Sequence, residues 1–186
     1  AGTGVSTEPC PPGTYSDALL LATADECIDC APGRYCPEPG GLTSSGPKCA
    51  AGFVCPGGAA DQYGRFWNET GENVDESGDP RTCPAGHYCP LGTKVPEQCP
   101  RGTYLPSEGH DEAVDCIPCA GGKYCAGTGL TTPSGPCAKG HYCARGNEDA
   151  SPDAVPMLIG GDRCPGGYIC DNGTSVPDPC PPGTYL

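Results

Sequence analysis

The sequence predicts a small disulfide-rich fold: elongated tandem cysteine-rich repeats built from short β-hairpins and turns, with little helix. Three observations carry that expectation, namely cysteine density, a shortage of core-forming side chains, and internal repetition. Of 186 residues, 17 are Cys, 30 Gly and 24 Pro. Leu, Ile, Val and Phe together number 22, about 12% of the chain. Chains below roughly 20% lack the apolar surface to offset their conformational entropy. Bridges supply what such a core cannot, because each restricts the unfolded chain and contributes typically about 2–4 kcal/mol.

The repetition has two levels. A short motif, C-x-x-G-x-Y, starts at Cys10, Cys30, Cys49, Cys83, Cys99, Cys119, Cys137, Cys164 and Cys180, with Val54 or Ile169 replacing the Tyr in two copies. In six copies another Cys follows at once, as in "CAPGRYC"; in the three "GTY" copies it does not. Above this runs a unit of eight cysteines. From Cys10 it reads C-x16-C-x2-C-x5-C-x12-C-x5-C-x27-C-x5-C-x9-C, and from Cys99 it differs only in two loops, x11 for x12 and x20 for x27. The expected organisation is therefore residues 1–9 as the tail of a preceding repeat, 10–98 as the first unit, 99–179 as the second, and 180–186 as the start of a third. On this reading Cys180 is unpaired within the chain and the segment is a window on a longer array, or neighbouring molecules complete one another.

Each element of the motif has a mechanical reason. Gly three residues after Cys suits a tight turn with positive φ, and a Pro following the Cys presets φ at the turn's entry. The aromatic can lie over a neighbouring bridge. Strands of two to four residues are expected around "GTY", "GRY", "GHY" and "GKY", with one helical turn in "DALLLATADE" at 17–26. Pairing cannot be read from spacing alone. The scheme expected here joins the first two cysteines of each unit, Cys10 with Cys27 and Cys99 with Cys116, and pairs the rest between adjacent motifs.

Disulfides at this density persist in an oxidising compartment, so the expected location is extracellular: secreted, on a cell surface or in a surface appendage. The net charge of −13 argues against nucleic acid or anionic membrane as partner, since both attract basic surfaces. Weak calcium binding is compatible with it. The longest apolar run, "ALLLA" at 18–22, is far below the ~18 residues of a spanning helix, so no membrane insertion is expected in this segment.

The stretches "CPPGTYSDALLLATADECIDCAPGRYC" and "CPRGTYLPSEGHDEAVDCIPCAGGKYC" resemble the ephrin-receptor-like cysteine-rich repeats and, more distantly, tumour-necrosis-factor-receptor modules. Related units cover nearly the whole chain. The resemblance implies an extracellular, non-catalytic repeat protein similar to those of flagellar hair filaments, the mastigonemes. The tandem C-x-x-G-x-Y-C motifs depart from receptor modules.

No catalytic, cofactor or metal site is expected. Cys27-x2-Cys30 and Cys116-x2-Cys119 have zinc-ligand spacing, but no second pair follows, and His87 and His141 occupy a slot held by Arg34 and Lys123 in sister motifs. No G-x-S-x-G occurs. Asn68 in "NET" and Asn172 in "NGT" are candidate N-glycosylation acceptors. Thr43, Ser44, Ser45, Thr131, Thr132 and Ser134, in Pro- and Gly-rich loops, are candidate O-glycosylation acceptors. Covalent glycans are the only expected additions. The apolar residues of the two long loops, Phe66 and Trp67 in one and Met157, Leu158 and Ile159 in the other, either fold back as a miniature core or make lateral contact with a neighbour.

The functional expectation is a structural glycoprotein, a disulfide-braced rod that assembles head-to-tail or laterally into a filament or surface coat. Its partners would be itself and other extracellular proteins or glycans. The alternative is the stalk or ligand-binding ectodomain of a receptor or adhesion protein.

Overall fold

A computed structural model of the chain describes residues 9–18, 21–41, 46–66, 80–153 and 161–184. Among these residues, 12 short strands pair into antiparallel two-stranded hairpins: β1 (Thr14–Tyr15) with β2 (Ile28–Asp29), β3 (His87–Tyr88) with β4 (Glu97–Gln98), and β5 (Thr103–Tyr104) with β6 (Ile117–Pro118). The series continues with β7 (Lys123–Tyr124) and β8 (Gly135–Pro136), β9 (His141–Cys143) and β10 (Gly161–Arg163), and β11 (Tyr168–Ile169) and β12 (Asp178–Pro179). Single bridges, Arg34 with Lys48 and Phe53 with Thr82, stand at the equivalent places of the two motifs without a full hairpin. The rule is constant: residues around the motif's aromatic pair with those just before the next motif's cysteine. The spacings that vary between repeats are hairpin loops, so their lengths change without disturbing the frame.

Among the described residues helix is confined to two 3₁₀ turns, Ala24–Glu26 and Ala113–Asp115. The second forms in the polar segment as readily as the first does in the apolar one.

The cysteines form eight disulfides. Cys10 bonds to Cys27 and Cys99 to Cys116. The remaining bridges correct the expected scheme, because they close inside each motif rather than between adjacent ones: Cys30–Cys36, Cys49–Cys55, Cys83–Cys89, Cys119–Cys125, Cys137–Cys143 and Cys164–Cys170. The physical reason is the turn between them. It reverses the chain so that the two Cα atoms stand 5.8–6.4 Å apart, inside the range a disulfide spans without backbone movement.

The contacts divide into two compact units, Ala1–Pro84 with Tyr88–Glu97 and Gly109–Glu112, and Ala85–His87 with Gln98–Glu108 and Ala113–Leu186. Both are built on one ladder. In the first, the turn glycine's N–H donates to the carbonyl at the seventh position of the next motif (Gly13 to Cys36, Gly33 to Cys55, Gly52 to Cys89), and its carbonyl accepts from that motif's first N–H (Cys30, Cys49 and Cys83). In the second, Gly86, Gly102, Gly122 and Gly140 donate to Leu105, Cys125, Cys143 and Cys170 and accept from Cys99, Cys119, Cys137 and Cys164. Each glycine is thus clamped between the two ends of the following motif. Bonds of this kind contribute about 1 kcal/mol net each, and their regular recurrence fixes register more than it adds energy.

A second glycine, nine or ten residues after each motif's first cysteine, completes the ladder. Gly40, Gly58, Gly92, Gly109, Gly129, Gly146 and Gly173 all have positive φ, and each donates its N–H to the first cysteine's carbonyl of the preceding motif. The backbone of all of them but Gly40 presses on the turn glycine two motifs back. At Gly122 a Cβ would collide with the Gly173 carbonyl, and φ there is 80°. Sterics and backbone conformation therefore both require glycine.

The interior is mostly sulfur. Cys30, Cys49, Cys55, Cys83, Cys89, Cys99, Cys119, Cys125, Cys137 and Cys143 are fully buried, and among the described residues Leu105 is the large aliphatic side chain that joins them. Tyr35 packs against the cluster of Cys49, Cys55 and Ala59, so this aromatic covers the bridge of the next motif.

Candidate functional site

Among the described residues no three His, Cys, Asp or Glu side chains are grouped to hold a metal ion. Cys27 and Cys30 do not act as a pair: each is bonded to a different cysteine, as are Cys116 and Cys119. The histidines serve local structure. His87 Nδ1 lies 3.1 Å from the Ala85 carbonyl. His141 Nε2 lies 3.7 Å from Asp153, whose Oδ1 also accepts from Arg163 Nε at 2.6 Å. That hydrogen bond holds the Asp153 carboxyl below the ordinary carboxylate range and raises the Arg163 guanidinium. A hydrogen bond with Glu97, reinforced by burial and the carboxylate's charge, pushes the Tyr88 hydroxyl above its usual value. These pairs pin hairpins.

The surface carries the remaining candidates. Asn172 is exposed on a turn in which Gly173 N–H donates to the Cys137 carbonyl and the Thr174 hydroxyl donates to the Asp171 carbonyl. Thr131 and Thr132 are exposed, whereas the Ser134 hydroxyl, also exposed, already accepts from the Ala126 N–H at 3.0 Å. Asn68, Thr43, Ser44, Ser45, Trp67, Met157, Leu158 and Ile159 lie outside the described residues. Phe66 is half-buried in its own unit, beneath the Arg81 guanidinium at 4.6 Å from the ring centre. From the same loop Tyr63 meets Phe53 of the Cys49 motif edge-on at 4.9 Å, and Asp61 caps the turn by accepting from the Tyr63 and Arg65 N–H groups. Cys180 carries the free thiol, and its N–H donates to the Gly167 carbonyl as the ladder requires.

Apolar side chains stand exposed at matching places in the two repeats. Val95 in "GTKVP" and Val176 in "GTSVP" are 69% and 72% exposed, and Ile28 and Ile117, each between the cysteines of a C-x-x-C pair, are exposed as well. Tyr168 and Ile169 line a largely apolar cavity of about 310 Å³ with the Cys164–Cys170 bridge, Lys139, Gly140 and Asp171.

The functional residues that sequence reasoning missed are the second glycines. Their signal was present, a glycine at the ninth or tenth place after every motif cysteine from Cys30 to Cys164. The one-residue wobble hides it from any fixed-spacing pattern.

Bridges at this density belong to an oxidising environment, and among the described residues no helix is long and apolar enough to cross a membrane. No protein-family model matches the chain, and no curated protein sequence matches it.

Proposed function

We propose that the chain is an extracellular structural glycoprotein whose disulfide-braced repeats assemble into a filament or surface coat, and that its motifs belong with the ephrin-receptor-like cysteine-rich repeats. The observation that carries this reading is the ladder, in which the same reciprocal backbone bonds join motif to motif in both units. An architecture that spends its glycines and cysteines on repetition, and varies only in hairpin loops, suits a load-bearing or spacing element. Each motif contacts mainly its near neighbours, so stability accumulates locally and does not depend on one central core. The acidic surface keeps such a chain soluble, and exposed Asn172 offers a place for glycan. The reading is non-catalytic, with its polar side chains used in caps and turns.

Electron microscopy of native, unreduced material tests it. Regular fibres or a lattice with an axial repeat of a few motifs are the expected result. Dispersed flexible molecules attached to a membrane, or a defined soluble ligand bound by the 56–82 loop, would overturn it in favour of a receptor stalk or ectodomain.

A further inference from the structure

The ladder brings three places of the chain together in each rung. They are the residue after a turn glycine, the residue before the next motif's cysteine that faces it across the hairpin, and the second residue after the covering glycine two motifs onward. In the rung of Gly33 these places hold Arg34, Lys48 and Lys94. Arg34 and Lys48 face each other across an antiparallel bridge. The bonds flanking it, from Tyr35 N–H to the Pro47 carbonyl and from Cys49 N–H to the Gly33 carbonyl, make it the narrow kind of pair, in which side chains stand closest. Lys48 lies over Gly92, its Cδ 3.1 Å from where a Cβ would stand there, and Gly92 in turn covers Gly33. Lys94 follows two residues later, at the place from which Glu148 reaches back over Gly102 in another rung.

Like charges directly opposite each other destabilise a strand pair, so this convergence of cations works against the fold. The chain's 23 carboxylates outnumber its 10 cations, and other rungs bring Asp29, Asp111 or Glu148 to one of the same three places. Here none arrives. Among the described residues Arg34, Lys48 and Lys94 enter no ion pair, and Glu97, the acid nearest to Lys94 in sequence, is engaged by the Tyr88 hydroxyl. The Arg34 guanidinium is anchored by Nη1, which donates to the Gly46 carbonyl at 2.6 Å, and both lysines are exposed. Leu91 and Val95, 60% and 69% exposed, flank Gly92 and Lys94 on the same turn.

We propose that this rung is a binding site for an acidic glycan, in which Arg34, Lys48 and Lys94 hold one oxyanion group of the sugar and Leu91 and Val95 offer an apolar shoulder to the C–H face of its ring. A guanidinium fork matches sulfate or carboxylate oxygens, and the ammonium groups add point charge. A free inorganic anion would make no use of the shoulder. A long polyanion laid along the chain would meet its net charge of −13, whereas one anionic group at this spot is screened from charges beyond about 8–10 Å. The inference rests on the extracellular reading above and gives the glycan partner an address.

Amide NMR titration of the full chain, with its bridges intact, tests the site. The probes are a singly sulfated disaccharide, a disaccharide with a single uronate, the uncharged parent sugar and a capped peptide with one glutamate. The expected result is shifts centred on Arg34, Lys48, Gly92 and Lys94 with one or both acidic sugars, at a Kd of about 1 mM or tighter; the tighter of the two names the oxyanion. Lys48→Gln and Lys94→Gln should each weaken binding about fivefold. Lys123→Gln, the same change of charge in a rung with a single cation, should leave it unaltered. Lys48→Gln should also keep or raise the unfolding midpoint, because it relieves the facing charges. Silence with both acidic sugars at about 10 mM overturns the site, as does equal weakening by Lys123→Gln or a loss of binding that accompanies a loss of stability. Equally tight binding of the uncharged sugar or of the glutamate peptide would overturn the acidic glycan as its ligand. Microscopy of native material decides the filament reading separately, so fibres built by a chain that ignores both acidic sugars would sink only this site.

Discussion

Two stretches of this chain are closed by the same bridge and share little else. Cys10–Cys27 encloses "PPGTYSDALLLATADE", and Cys99–Cys116 encloses the polar "PRGTYLPSEGHDEAVD". Both nevertheless end in a 3₁₀ turn and pair their Thr-Tyr strand with the residues after the second cysteine. At the seventh position, where six other motifs have Cys, they place Ser16 and Leu105, both buried. The N–H groups of Ser16 and Leu105 donate to Gly41 and Leu130, as those of Cys36, Cys55 and Cys89 donate to Ala59, Thr93 and His110. Serine, leucine and half-cystine thus fill one slot. The difference teaches that the frame is set by glycine and backbone, and that sulfur is one of several ways to occupy the space it leaves.

If so, the largest loss should follow a turn glycine. Gly122→Ala forces a Cβ into the Gly173 carbonyl at a left-handed backbone, and should cost about 3 kcal/mol or more. Gly146→Ala, at an equally left-handed backbone, meets the Pro118 Cβ at an ordinary 3.9 Å and should cost about 1 kcal/mol from conformation alone. Guanidinium unfolding with intact bridges measures both, and equal losses would break the comparison. Next come the bridges. Replacing Cys99 and Cys116 together by Ala should cost about 3 kcal/mol, and replacing Cys119 and Cys125 about 2 kcal/mol, following the loop each closes. A reversed order in the same unfolding assay would mean that the shorter bridges do more than restrict the unfolded chain.

Smaller effects sharpen the slot itself. Leu105→Ser, which writes the first repeat's residue into the second, should cost about 2 kcal/mol, because the surroundings of Leu105 are shaped to a side chain that is 1% exposed. Thr103→Val removes the hydroxyl donated to the Pro100 carbonyl and should cost about 0.5–1 kcal/mol. The least effect belongs to the loops. Asp153, held by Arg163, has a folded pKa below the ordinary 3.8. What the pair contributes is therefore present above the unfolded pKa and fades as pH falls through the folded one. An NMR titration should find the Asp153 midpoint below 3.8, and Arg163→Gln should return it upward.

Much of this architecture is legible in the sequence. The motif, the eight-cysteine period, the turn glycine and strands of two to four residues follow from cysteine spacing and the φ that only glycine adopts cheaply. Two features resist that reading. Closure of Cys30 on Cys36 depends on how sharply the intervening turn reverses the chain, which spacing does not state. The role of Gly40, Gly58 and their equivalents depends on contact with a motif two steps away, across loops of different length. The candidate surface was less legible still. Ile169 reads in sequence as a substitute for a tyrosine, and only the fold shows it lining a largely apolar cavity with Tyr168 and the Cys164–Cys170 bridge.

Every disulfide in this molecule joins cysteines 6 or 17 residues apart. During synthesis, at ~5–20 residues per second, each sulfur is followed by its partner within a few seconds, ready to bond once both stand in an oxidising environment. No half-formed bridge waits for a distant segment, and a wrong partner must outrun a nearer correct one. Oxidative maturation can then proceed in the order of translation with little call on isomerases. Adding repeats would lengthen such a product without making it harder to fold.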